Sequence, residues 1–296
     1  MDSESRDVER VLIGVAYLVI STALLLIYVA VLIAISKNGR LRNLSSFRLM
    51  MGLGVFHCIP LSTECLTGVL LVFDLSISNT RAEQIMGAIA ASSFKCSVLM
   101  NMVLAANRFQ ILCCASKGNH TNRLFIGMIL IVMSSFYVFF FVMDMQPGEG
   151  QYLDYIKYQW YYRVSPQFPI LKSIKTYVQL SCLAASGSIY VIIAIFLIYN
   201  KVSLPQAAKP SVVEFRILLQ CVLLNCCDAL AILFYNYGIR YVHNRFDGVI
   251  GNSVYILING INSVLYIMFV RVIRISVIKT VIGSKRSVVV RQLQTK

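Results

Sequence analysis

The sequence predicts an all-α membrane protein: a seven-transmembrane helix bundle with the N-terminus outside, the C-terminus cytoplasmic and a short amphipathic eighth helix. Three observations predict it. Of 296 residues, 58% are hydrophobic and 14% charged, against roughly 25% charge in soluble domains. The mean hydropathy is +0.72, and the apolar residues gather into seven runs near the ~20 residues that cross a bilayer core. Most of the basic residues, 17 of 27, fall on one side of those runs, with a single acid beside them.

The spans are placed at about 11–36, 46–73, 84–110, 124–143, 174–200, 212–237 and 248–271. Lipid offers no partner for peptide N–H and C=O groups, so each run must be helical. The first, Val11 to Ser36, carries no charge and exceeds the ~7–15 apolar residues of a signal-peptide core. Its leader is acidic on balance (Asp2, Glu4, Asp7 and Glu9 against Arg6 and Arg10), so it reads as a retained first helix. Pro60 is expected to kink the second span. Residues 272–282 alternate apolar and basic side chains (Arg274, Lys279) and read as a helix on the membrane surface. Residues 1–10 then form an extracellular N-terminus, 11–271 the membrane domain and 283–296 a basic cytoplasmic tail. No internal repeat of the kind found in transporters built from inverted halves is evident.

Charge fixes the orientation. One side carries 17 basic residues, from Lys37 to Lys296, against one acid, Glu214; the other carries 9 basic and 10 acidic residues. Basic loops stay cytoplasmic. The net charge of +14 is therefore a topology signal and an attraction for anionic membrane lipids or a cytoplasmic partner, not a nucleic-acid patch. The nine cysteines fall in spans or, as Cys113 and Cys114, in the second cytoplasmic loop, so no external disulfide is expected. Cys113 and Cys114 are either palmitoylation sites beside the membrane or reduced thiols in a packed loop. The glycosylation sequons at Asn43 and Asn119 lie on the cytoplasmic side of this topology.

Three motifs sit at the ends of particular spans. Asn107-Arg108-Phe109 ends the third and looks like a variant of the D-R-Y triplet of rhodopsin-like receptors. Asn262-Ser263-Val264-Leu265-Tyr266 in the seventh resembles N-P-x-x-Y with serine for proline, and Arg271-Val272-Ile273-Arg274 follows as a receptor helix eight begins. Glu214-Phe215-Arg216 opens the sixth, where such receptors often have an acid. With Ser45-Ser46-Phe47-Arg48 opening the second span, the chain is similar to the nematode serpentine chemoreceptors of the Srt or Srx class, from the second helix to the eighth. The resemblance implies a receptor in chemosensory cilia of the plasma membrane that detects a small-molecule ligand and activates a heterotrimeric G protein. The chain also departs from the rhodopsin-like pattern. His57 stands near the place of the second-helix aspartate, Asn225-Cys226-Cys227-Asp228 replaces C-W-x-P, and the cysteines for the disulfide to the second outer loop are absent.

In such receptors the arginine contacts an acid at rest and is freed on activation. Asn107 has no carboxylate, so Glu214 is the expected partner of Arg108, with Asn262 and Tyr266 as the moving counterpart. Otherwise Arg108 is a headgroup anchor and the other two are polar packing worth around 0.6 kcal/mol per contact. Three ionisable residues lie well inside the spans, away from their ends: Glu64, Lys95 and Asp228. Helical rise puts Lys95 roughly 20 Å above Arg108 and the two acids roughly 26–28 Å above the inner ends of their helices. Lys95 is expected to pair with Glu64 or Asp228 at the floor of a ligand pocket, or to orient helices through that pair. The second outer loop, 144–172, holds Trp160 and five tyrosines between Tyr152 and Tyr162. They would either roof the pocket or form an interfacial belt.

His57, His120 and His243 are dispersed, and no H-E-x-x-H, phosphate loop or nucleophile elbow is present. The chain is therefore read as a receptor, not an enzyme, with no cofactor. The rival reading is a seven-helix transporter or channel with a permeation site at Lys95, Glu64 and Asp228. An insect-type odorant channel would need the opposite orientation.

Overall fold

A computed structural model describes residues 3–78, 80–113, 123–146, 150–163, 169–203, 212–236 and 247–282. In chain order these form α1 (Ser3–Lys37), the single turn α2 (Gly39–Arg42), α3 (Ser45–Val72), α4 (Arg81–Cys113) and α5 (Arg123–Asp144). A hairpin of β1 (Gly150–Asp154) and β2 (Gln159–Arg163) follows, then α6 (Pro169–Ser203), α7 (Val212–Asn236), α8 (Asp247–Phe269) and α9 (Arg271–Ile282). Six of the long helices are apolar enough over sufficient length to cross a membrane. In α7 the apolar stretch among the described residues is shorter, Leu218–Phe234.

The chain reverses at each connection, so the ends of α1, α4, α6 and α8 share one end of the bundle with the starts of α3, α5 and α7. This basic end also carries α2 and α9; the opposite end carries the hairpin. α4 is the central helix. It packs on α3, α5, α6, α7 and β1 and buries an uninterrupted run from Lys95 to Asn101, as an element surrounded by protein must. α1 packs against α3 and α8 and extends onto α9, where Ser276 Oγ donates to the Ala34 carbonyl at 3.1 Å. α3 runs unbroken through Pro60.

The hairpin was not expected. Its alternating tyrosines and Trp160 suit a pleated strand, and Gly150 pairs with Arg163 through to Asp154 with Gln159. Asp154 closes the turn, its Oδ1 accepting from the Ile156 and Lys157 amides at 2.9 and 3.1 Å, as turn aspartates do. Tyr152, Leu153, Tyr158 and Trp160 are buried. These aromatics thus close the hairpin end of the bundle as a plug, in place of a dispersed belt.

Two helical glycines admit the hairpin. A Cβ on Gly87 of α4 would overlap the Gln151 carbonyl, and one on Gly248 of α8 would overlap the Lys157 carbonyl. Both obstacles are backbone, so relief requires the hairpin to move. Gly87→Ala and Gly248→Ala are each expected to cost about 1–3 kcal/mol through overpacking. In detergent both should lower Tm and expose residues 150–163 to protease. Gly127→Ala, where a Cβ meets open space, should leave both readouts at wild-type values.

Candidate functional site

The hairpin end is organised by a buried carboxylate. Asp144, the last residue of α5, is 0% exposed. It forms an ion pair with Lys95 of α4 and accepts from Lys175 of α6 at 2.7 Å. The Tyr162 hydroxyl of β2 donates to it at 2.5 Å, and Ser92 reaches it at 3.4 Å. Lys175 also bonds the Tyr162 hydroxyl, and both ammonium groups lie over the Tyr162 ring, at 5.6 and 5.1 Å from its centroid. Three helices and a strand therefore meet at one charge. In a low-dielectric interior each partner is needed to offset the desolvation of the other.

This corrects the expected pairing of Lys95 with Glu64 or Asp228. Helical rise fixes a residue's depth but not the direction it faces, and Asp144 lies in the helix and not in the loop that follows it. The two acids find neutral partners. Asn252 of α8 donates to Glu64 Oε2 at 2.7 Å, and Asn101 of α4 donates to Asp228 Oδ2 at 2.6 Å. Glu64 is 1% exposed, and its Oε1 has no hydrogen-bond partner among the described residues.

Trp160 is held one turn from Glu64, its Nε1 donating to Thr67 Oγ1 at 3.0 Å. Tyr17 Oη donates to the Tyr158 carbonyl at 3.0 Å, and the Tyr155 hydroxyl bridges the Leu75 carbonyl and the Ile77 amide. Tyr155 is half-buried beside Glu83 and Asp74, and this burial raises its phenol above the ordinary value. Glu83, at the start of α4, accepts from the Leu153 amide at 2.8 Å. Thr80 caps the same turn through the Glu83 amide at 3.2 Å. Thr80-Arg81-Ala82-Glu83 thus has the spacing of a capping box, but its glutamate is directed onto the hairpin. Sequence reasoning missed Glu83, Asp144 and Lys175. The capping-box spacing was the signal for the first; the other two were counted only among the outer-side charges.

Midway along the bundle His57 stacks on Tyr28, with centroids 5.9 Å apart. It contacts Asn259 Oδ1 through Nδ1 at 3.2 Å. The Asn259 amide donates to the Tyr255 carbonyl at 2.8 Å, so its oxygen is the acceptor and His57 Nδ1 carries the proton. Towards the basic end, Asn107 Nδ2 donates to Ser46 Oγ at 2.9 Å, tying α4 to α3. Arg108 reaches the Met50 sulfur at 3.9 Å through Nη2. Among the described residues its Nε is buried without a hydrogen-bond partner, and the Asn262 side chain lies beside the buried Tyr28 and Tyr266 hydroxyls. The Glu214 side chain, and with it the expected contact to Arg108, lies outside the described residues, as does Cys114. Among the described residues no cluster of His, Cys, Asp or Glu could hold a metal.

Asp144→Asn would leave buried Lys95 with no carboxylate among the described residues and should cost about 3–5 kcal/mol. Lys95→Met leaves Asp144 paired with Lys175 and should cost clearly less. Thermal unfolding in detergent orders the two variants; equal losses would mean that the carboxylate is not the hub.

A family model for the serpentine type 7TM GPCR chemoreceptor Srt matches residues 1–290. Among solved structures the chain is similar to squid rhodopsin, with a TM-score of 0.75 and 10% identity over 93% of this chain and 86% of that one. At that identity the likeness is one of fold. No curated protein sequence matches the chain significantly. The family match covers nearly the whole chain. The chain belongs to the Srt family of serpentine seven-transmembrane chemoreceptors.

Proposed function

We propose that this chemoreceptor binds a small molecule beneath the hairpin and activates a heterotrimeric G protein at its basic end. The N-terminus would lie outside and the C-terminus in the cytoplasm, in the plasma membrane of chemosensory neurons or their cilia. The observation that carries the reading is the placement of Lys95 and Arg108 on one buried helix, α4. A ligand that shifts the ion pair of Lys95 acts on the same rigid element that carries Arg108.

The ligand contacts proposed are Glu64, Lys95, Asp228 and Trp160. Glu64 contributes an unpartnered carboxylate oxygen, suited to a hydrogen-bond donor on the ligand. At the basic end Asn107, Arg108, Glu214, Asn262 and Tyr266 form the switch. Arg108 Nε, buried without a partner among the described residues, has hydrogen-bonding capacity to gain in a second arrangement. The permeation alternative draws no support from a geometry in which Lys95, Glu64 and Asp228 each take a different partner.

The test expresses the chain with a promiscuous G protein and screens a panel of small molecules. Arg108→Ala should abolish the evoked signal at normal surface expression, and Glu214→Ala should raise basal signalling. A wild-type response from Arg108→Ala would contradict the coupling role. Accessibility of terminal tags in intact cells checks the orientation.

A further inference from the structure

Between the inner end of α1 and α9 lies a cleft of about 500 Å³ lined by Lys37, Asn38, Gly39, Ser276, Lys279 and Thr280. Both lysines are exposed. The sequence has no acid between Glu9 and Glu64 and none after Asp247, so neither wall of the cleft carries a carboxylate of its own. The hydroxyl protons are already committed. Ser276 gives its proton to the Ala34 carbonyl, and Thr280 gives its own to the Ser276 carbonyl at 2.9 Å. Recognition in the cleft therefore falls to two ammonium groups on a polar frame, which attract an anion by charge.

The surface above the cleft selects which anion. On α1, Leu26, Val29 and Ile33 are 65%, 39% and 38% exposed and precede Lys37 at spacings of three and four residues. This places them on one helix face, an apolar stripe that ends at a cation. On α9, Val272, 48% exposed, lies on the same face as Ser276 and Lys279 by the same spacing. A ligand with an anionic head and apolar tails matches both features, whereas free phosphate matches one.

We infer that the α1–α9 cleft binds the phosphorylated headgroup of an acidic membrane phospholipid between Lys37 and Lys279, with its acyl chains along the Leu26–Ile33 face. The site rests on the reading of the chain as a membrane receptor whose basic end faces the anionic leaflet. Its binding test in micelles does not depend on that orientation or on G-protein coupling, so the two fail separately.

The experiment counts lipid adducts on the full-length chain in detergent micelles by native mass spectrometry. The probes are dioleoylphosphatidylinositol 4-phosphate, dioleoylphosphatidylcholine and the free headgroup inositol 1,4-bisphosphate. Wild type should retain the acidic lipid over phosphatidylcholine. Lys37→Gln with Lys279→Gln should weaken it about tenfold or more, since each basic residue near an anionic surface contributes several-fold. Lys285→Gln with Arg291→Gln removes the same charge from the tail and should leave binding unchanged. Lys279→Gln alone should give an intermediate loss, so the readout survives if the double variant folds poorly. Equal losses from both pairs would reduce the effect to diffuse attraction and overturn the site. Wild-type binding by the first pair would also overturn it, as would free bisphosphate binding as tightly as the lipid.

Discussion

One carboxylate, Asp144, sets the arrangement at the hairpin end. It is fully buried at the end of α5, and α4, α6 and β2 each send it a donor. A buried ion with a missing partner is far more costly than a completed cluster is stabilising. The constraint is therefore one of geometry: the helices must approach so that Lys95 and Lys175 both reach the same residue. No cysteine lies between Cys114 and Cys182, so the loop carrying the hairpin has none with which to form a disulfide. It is fastened by this cluster, by Glu83 on the Leu153 amide, by Trp160 on Thr67 and by the close approach of its backbone to Gly87 and Gly248.

The polar residues of the two halves differ in how far they are satisfied. Towards the hairpin, Asp144, Asn252, Trp160 and Tyr17 all have partners, with Glu64 Oε1 as the exception. Towards the basic end, among the described residues, Arg108 Nε and Gln220 Oε1 are buried without them. Such atoms require bound water or a second arrangement. The well-satisfied half fixes the closed hairpin, and the under-satisfied half has the freedom to repack. α4 crosses both, carrying Lys95 at the hairpin cluster and Arg108 towards the basic end.

Much of this was legible in the sequence. Run length and low charge identify the long helices because lipid admits no other backbone solution. The motifs at Arg108 and Tyr266 lie at recognisable distances from helix ends. Side-chain pairing was less legible. Lys95 was assigned to Glu64 or Asp228 because depth follows from residue counting, whereas the direction a residue faces depends on how helices pack. Asp144 was read as a loop charge because the apolar run of α5 stops one residue before it, and Lys175, at the edge of the 174–200 span, was counted with the outer charges. The hairpin was missed because its aromatics also suit a membrane interface, and only the pairing of residues 150–154 with 159–163 separates the two.

Hydrogen exchange of the 150–163 amides, compared between wild type and Asp144→Asn in the same micelles, tests the central claim that buried polar contacts latch the hairpin. Wild-type hairpin amides should exchange slowly, Leu153 among the slowest. In the variant they should exchange much faster while α3 near Met50 stays protected. Hairpin amides that exchange at unprotected-loop rates in the wild type, or that do not respond to loss of the carboxylate, would contradict it.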